Sequence, residues 1–229
     1  MGFFRGGALF FVGVLLFFSL LAMNSFFTLA TSLKYENVQQ EATPLVAELF
    51  EGLNEENRTL FNETVAQEFL QDVYYKDYGC GFWKCFIQEE IPFFLVSEQA
   101  RDYWKGKLYL ALIVSLVLSA IAFFLVENKK NWPVVVGGIL ILSAIPLLKI
   151  KQFVAFFIPD SLTSLSIFLN IFFSKAYMVF LICFIVGLVF IGIGFGLKFS
   201  NADFVKNIMK RDSEEKDVTM KQIKTRKTK

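Results

Sequence analysis

Long apolar runs alternate with polar interruptions along the chain, and the run lengths predict its architecture. A hydrocarbon core of about 30 Å is crossed by roughly 20 apolar residues in a helix. Gly6 to Phe27 meets that length with no charge inside. Trp104 to Val126 and Ala176 to Leu197 meet it as well. Val134 to Leu148 is shorter, but Trp132 at one end and Lys149 and Lys151 at the other can anchor it at the two interfaces. Spans are therefore predicted at 6–27, 104–126, 134–148 and 176–197. The stretch 152–174 mixes Phe and Leu with Pro159-Asp160-Ser161 and several Ser and Thr. A short interfacial or re-entrant hairpin of helices is expected there.

The polar segment from Lys34 to Lys107 has its own periodicity. Pro44 to Phe50 and Glu55 to Tyr75 read as amphipathic helices. In the second, Leu60, Phe61, Val65, Phe69 and Val73 recur at three- and four-residue spacing. Gly52-Leu53-Asn54 is the expected turn between them. A compact loop follows at Tyr78 to Phe86, Pro92 breaks the chain, and Ser97 can cap the helix that continues as the second span. The expected fold is an all-α membrane protein, a bundle of about four transmembrane helices with a small helical extracellular domain between the first and second spans. Its units are 1–33 (the first span, as signal-anchor), 34–103 (the outer domain), 104–198 (the other three spans with the hairpin) and 199–229 (a basic cytoplasmic tail). A cleaved signal peptide is the rival reading of the first unit, since Ala30-Thr31-Ser32 would pass as a cleavage site. The apolar run, however, exceeds the ~7–15 residues of a signal-peptide core.

Composition supports a membrane class. Of 229 residues 55% are hydrophobic, above the ~45–50% of soluble domains. The net charge of +2 hides a sorting by segment. Residues 34–107 carry 14 acids and 7 bases, a net −7, and residues 198–229 carry 10 bases and 5 acids, a net +5. Short flanks orient spans by their Lys and Arg. Lys129 and Lys130 mark the corner between the second and third spans as cytoplasmic, and Arg5 and the basic tail agree. Lys149, Lys151 and Lys175 vote the other way, although each can anchor at a headgroup. Both termini are thus expected in the cytoplasm of a multipass cell-membrane protein, with 34–103 and 149–175 outside.

The candidate chemistry is sparse. His is absent, which removes the commonest metal ligand and the usual near-neutral acid–base. Charge is absent from the central parts of the spans, where proton- or ion-coupled transporters usually place it. Paired Asp, or Ser with His, as intramembrane hydrolysis requires, is also missing. Cys80 and Cys85 fall in the segment placed outside, with Gly79 and Gly81 supplying turn freedom. A disulfide closing a tight loop is the expectation. That loop carries Phe82 and Trp83, either packed inward, dipped into the headgroup region, or presented as a partner-binding tip. Asn57 and Asn62 begin N-glycosylation sequons.

Small residues mark candidate helix contacts: Ala111, Ser115 and Ser119 on the second span, Gly137, Gly138, Ser143 and Ala144 on the third, and Gly187, Gly192 and Gly196 on the fourth. Packing within the bundle and contact between copies are both compatible with them.

Four spans with outer cysteines loosely resemble the quinone-linked disulfide-forming membrane proteins. Those relay electrons through two cysteine pairs, whereas this chain has one pair and a lone Cys183. Gly81-Phe-Trp-Lys-Cys85 is similar to the claudin string G-L-W-x-x-C, but there both cysteines follow the Trp, and here Cys80 precedes Trp83. The run WKGKLYLALIVSLVLSAIAFFLVENKKNWPVVVGGILILSAIPLL, followed by IPDS, resembles uncharacterised multipass membrane proteins of archaea. That resemblance covers the second half of the chain and implies a cell-membrane location and no activity. The leading expectation is a non-enzymatic assembly, scaffold or accessory subunit acting through its outer domain. Its partners are the lipid bilayer, another membrane or surface protein and, in one alternative, further copies of itself; no cofactor, metal or nucleic acid is expected. The alternatives are an oligomeric channel or transporter and a membrane thiol–disulfide protein.

Overall fold

The computed structural model describes residues 2–51, 63–88, 92–150, 152, 154 and 163–199. Among the described residues, four helices are long and apolar enough to cross a membrane: Gly6–Ser32, Glu98–Leu125, Lys129–Lys149 and Phe168–Lys198. Described residues outside them are also helical, apart from short connections and the irregular loop 76–81. The chain is thus an all-helical multipass membrane protein, in agreement with the run-length pattern.

The first long helix, α1, runs Gly2–Ser32. Two shorter helices follow, α2 (Tyr35–Glu51) and α3 (Glu63–Tyr75), then α4 (Phe82–Gln88) and a 3-10 turn at Pro92–Val96. The second long helix, α5, runs Glu98–Leu125. A tight corner leads into α6 (Trp132–Ala144), which 3-10 turns extend at both ends. A short α7 (Thr163–Phe172) precedes the last long helix, α8 (Ala176–Phe199).

The third span is longer than the apolar run 134–148 suggests. Pro133 precedes that run and Pro146 lies inside it, and neither ends the helix. Pro133 sits in the first turn of α6, where its missing N–H is unneeded. Pro146 is the second residue of the 3-10 turn Ile145–Lys149, which carries the span on. The 21 residues of Lys129–Lys149 reach about 35 Å when α and 3-10 rises are combined. That suffices for a hydrocarbon core.

In the bundle, α1 packs most extensively on α5 and α8 on α6, while α1 also touches α6 and α8. Leu16 and Leu20 of α1 meet Val136, Leu140 and Ala144 of α6, Leu147, and Val179 and Cys183 of α8. The outward faces keep large apolar side chains such as Phe11, Ile113, Phe124 and Val189 exposed. In lipid, exposed apolar faces carry no penalty, so contact between helices depends on close fit.

A polar lobe caps one end of the bundle. α2 and α3 pack together over a core of Leu33, Val38, Ala42, Ala66, Leu70, Tyr74 and Val96, and Phe168 and Ile171 of α7 complete it. α2 starts at Tyr35, well before Pro44, because Val38 and Ala42 one turn apart suffice to seat it. The expected turn at Gly52-Leu53-Asn54 and the start of the second expected helix lie outside the described residues. α5 runs unbroken through position 103, where the sequence divides outer domain from span. Ser97 caps it, its Oγ accepting from the Ala100 N–H at 3.2 Å. Lobe and bundle therefore share one rigid helix. Because α7 is built into the lobe core, the lobe and the α7 segment occupy the same side of the bundle.

Candidate functional site

Among the described residues, two features with polar or exposed chemistry occupy different parts of the molecule. The first lies among the spans. Asn24 of α1 is fully buried, and its Nδ2 donates to Ser143 Oγ of α6 at 3.1 Å. Its Oδ1 accepts from Cys183 Sγ of α8 at 3.2 Å. Ser143 Oγ in turn donates to the Leu140 carbonyl at 2.8 Å. One side chain thus ties three spans together. Nearer the other end of α1, Ser19 and Ser115 of α5 share a hydroxyl–hydroxyl bond of 2.9 Å. Thr28 is satisfied within its helix by the Asn24 carbonyl. Ser32 accepts from the Lys175 N–H at 3.2 Å, closing the lobe end of α1 against the start of α8. All these polar groups are neutral, and they bond to one another or to backbone.

The small residues divide by face. Ala111 and Ser115 are buried against α1, and Ser119 is half-buried with its carbonyl accepting from the Trp132 indole at 2.9 Å. Gly137 and Gly187 form the crossing point of α6 and α8. A Cβ on Gly137 would lie 2.6 Å from the Gly187 carbonyl oxygen, and one on Gly187 would lie 2.9 Å from the Gly137 oxygen. Gly194 is closed in by Val134. Gly192 and Gly196, by contrast, have open space where a Cβ would stand, and so does Gly138. The G-x-x-x-G pair is therefore not an internal helix contact. Its face points away from α6, and the packing glycines are Gly187 and Gly194, seven residues apart on a face out of register with that pair.

The second feature is α4 and its loop. Cys80 and Cys85 are joined by a disulfide, with Cα atoms 5.6 Å apart. Gly79 takes the left-handed backbone the loop needs, φ +63°, and its N–H donates to Asp77 Oδ1 at 2.9 Å. Cys85 is buried, and Gln99 Nε2 of α5 donates to the Cys80 carbonyl. Phe82 is buried as well. Its ring stacks on Tyr103 with centroids 4.0 Å apart and meets Trp104 edge-on at 5.3 Å. Phe82 is thus a packing residue and not part of an exposed tip. Trp83 is 62% exposed, and Phe86 and Ile87 continue its face at 50% and 80%.

Asn57 and Asn62 lie outside the described residues, as does the tail beyond 199. Among the described residues no three His, Cys, Asp or Glu side chains gather as a metal site. In the lobe, Tyr74 is buried and donates to the Leu33 carbonyl at 2.9 Å. Burial pushes its hydroxyl pKa up, the neighbouring Arg101 opposing in part. Tyr35 is raised too, by burial and then by Tyr75.

Asn24 is the residue sequence reasoning missed. It is one amide within a continuous apolar run, and only the approach of α6 and α8 gives it partners. Its signal was an amide where lipid-facing positions tolerate none cheaply. Compared with known proteins, the chain matches no family model, no curated protein and no solved structure.

Proposed function

We propose that the chain is a non-enzymatic assembly or accessory subunit of the cell membrane, in which four spans hold the polar lobe rigidly for a partner protein. The observation that carries this reading is the way lobe and bundle are fused. α5 is continuous through both, Tyr74 bonds to Leu33 at the end of α1, and Ser32 bonds to Lys175. Asn24, Ser143 and Ser115 act as clips between helices, and α7 serves the lobe core instead of lining a path. Such a frame fits presentation of a surface better than passage of a solute.

The partner-facing surface in this reading is the outer side of α3, where Gln67, Glu68, Gln71, Asp72 and the following Asp77 are exposed. Its acidic character favours a basic partner surface, by steering encounter as much as by affinity. Gly192 and Gly196 leave room on α8 for a neighbouring helix, of the partner or of a second copy. The lobe is assigned to the outside and both termini to the cytoplasm on the strength of Lys129 and Lys130 at the opposite corner. The resemblance of the second half to archaeal multipass proteins fits this location and adds no activity. A photo-crosslinking residue at Gln71, irradiated in native membranes, tests the reading. A defined protein adduct is expected, and a chain that stays solitary overturns it.

A further inference from the structure

We infer that α4 is an interfacial anchor whose exposed apolar flank, Trp83, Phe86 and Ile87, rests in the headgroup region of the bilayer the spans cross, so that a lipid surface occupies this face. Three observations fix the occupant. The first is level. The apolar stretch of α5 from Leu108 to Leu125 holds 18 residues, about 27 Å of helix, which matches a hydrocarbon core. Tyr103, Trp104 and Lys107 just precede it, at one interface. Trp104 stacks on Phe26 near the lobe end of α1, centroids 5.7 Å apart, so two spans agree on that level. α4 is fastened there and not higher in the lobe, since Phe82 stacks on Tyr103 and Trp83 meets the same ring edge-on at 6.5 Å.

The second observation is sidedness. On a helix the buried Phe82 and Cys85 take one face, and Trp83, Phe86 and Ile87, spaced by three and four, take an adjoining one. The exposed Lys84 falls on the flank away from both. A helix with one flank docked, one apolar and one cationic is suited to lie in an interface plane. The third is company. Tyr109 and Tyr177 are exposed near the lobe ends of α5 and α8, and Lys107 Nζ lies over the Tyr103 ring at 5.2 Å. Trp and Tyr with flanking cations form the belt that membrane interfaces select. The disulfide gives this belt an extra, sideways member by holding the α4 loop closed.

The test uses the full chain in phosphatidylcholine–phosphatidylglycerol vesicles. A spin label at Ile87→Cys, in a Cys183→Ser background, is expected to collide more with oxygen than with a water-soluble nickel chelate, and a label at Gln71→Cys on α3 to do the reverse. Equal, water-like behaviour at both sites overturns the proposal. In native membranes, benzoylphenylalanine in place of Ile87 is expected to give a phospholipid adduct on irradiation. A protein adduct there instead would assign this face to a partner and also overturn it.

Discussion

Asn24 and Ser143, 119 residues apart in the chain, are joined inside the membrane by a 3.1 Å bond from the Asn24 amide to the Ser143 hydroxyl. The same amide accepts from Cys183, so α1, α6 and α8 meet on one side chain. Interhelical bonds of this kind contribute about 0.6–2 kcal/mol each in membrane proteins. Asn24→Ala should lower bundle stability by roughly 1–2 kcal/mol, measured by unfolding in mixed micelles. Asn24→Asp should cost more, because a charge would be buried with only neutral partners. Ser19→Ala, which breaks the Ser115 contact and a long bond to the Ala111 carbonyl, should cost less than either.

The crossing of α6 and α8 makes a sharper contrast. Gly137→Ala and Gly187→Ala each force a Cβ against a carbonyl oxygen or Ile141. Overpacking of this sort costs about 1–3 kcal/mol. Gly192→Ala and Gly196→Ala should leave monomer stability unchanged, since nothing stands within 4 Å of their added Cβ atoms. Thermal denaturation of the four variants in detergent checks the split. Equal losses at all four positions would contradict the assigned face.

These two sites show what the chain made legible and what it did not. Span count and the polar insert follow from run length alone, because crossing a membrane is a one-dimensional constraint of about 20 residues. The third span outruns its apolar stretch 134–148 because apolar composition stops at polar or charged residues, whereas a first-turn proline and 3-10 turns at both ends carry the helix past them. The cysteine pair and the Ser97 cap were readable because each is a local chemical device. Which glycine packs was not readable, since that depends on the rotation of α8 about its axis. The same holds for Phe82: its burial depends on Tyr103 and Trp104, which only the docking of α4 on α5 brings to it. Asn24 is the extreme case, as its partners lie more than a hundred residues away.

The disulfide should matter locally. Closing so short a loop is worth about 2 kcal/mol by the loop-entropy relation. Reduction, or Cys85→Ser, should free α4 from Phe94, Tyr103 and Trp104, and raise protease sensitivity and hydrogen exchange at 78–88. Exchange in α1, α6 and α8 should not change. Protection lost throughout the bundle would show that the loop does more than hold α4.

Tyr74 predicts a dependence on alkali. Its pKa is raised in the folded protein above the ordinary 10.0, chiefly by burial. The folded state therefore keeps a proton that the unfolded state loses, and stability falls as pH climbs past 10 toward the folded value. The contribution is intact below pH 10. Tyr74→Phe should flatten this component while costing about 1 kcal/mol at neutral pH for the lost bond to Leu33. Tyr35, shifted the same way, should leave a smaller residual slope. Lobe unfolding followed by near-ultraviolet circular dichroism from pH 8 to 11 reads both, and an unaltered slope in Tyr74→Phe would count against the burial argument.

Presentation of the lobe on the outer face is the centre of this account, and side-specific labelling tests it most directly. In a Cys183→Ser background, Gln71→Cys on α3 and Glu127→Cys at the corner after α5 are both exposed and on opposite ends of α5. A membrane-impermeant maleimide added to intact cells should modify Gln71→Cys, and should reach Glu127→Cys only after the membrane is opened. Labelling of Glu127→Cys from outside, or of both positions from one side, would contradict it.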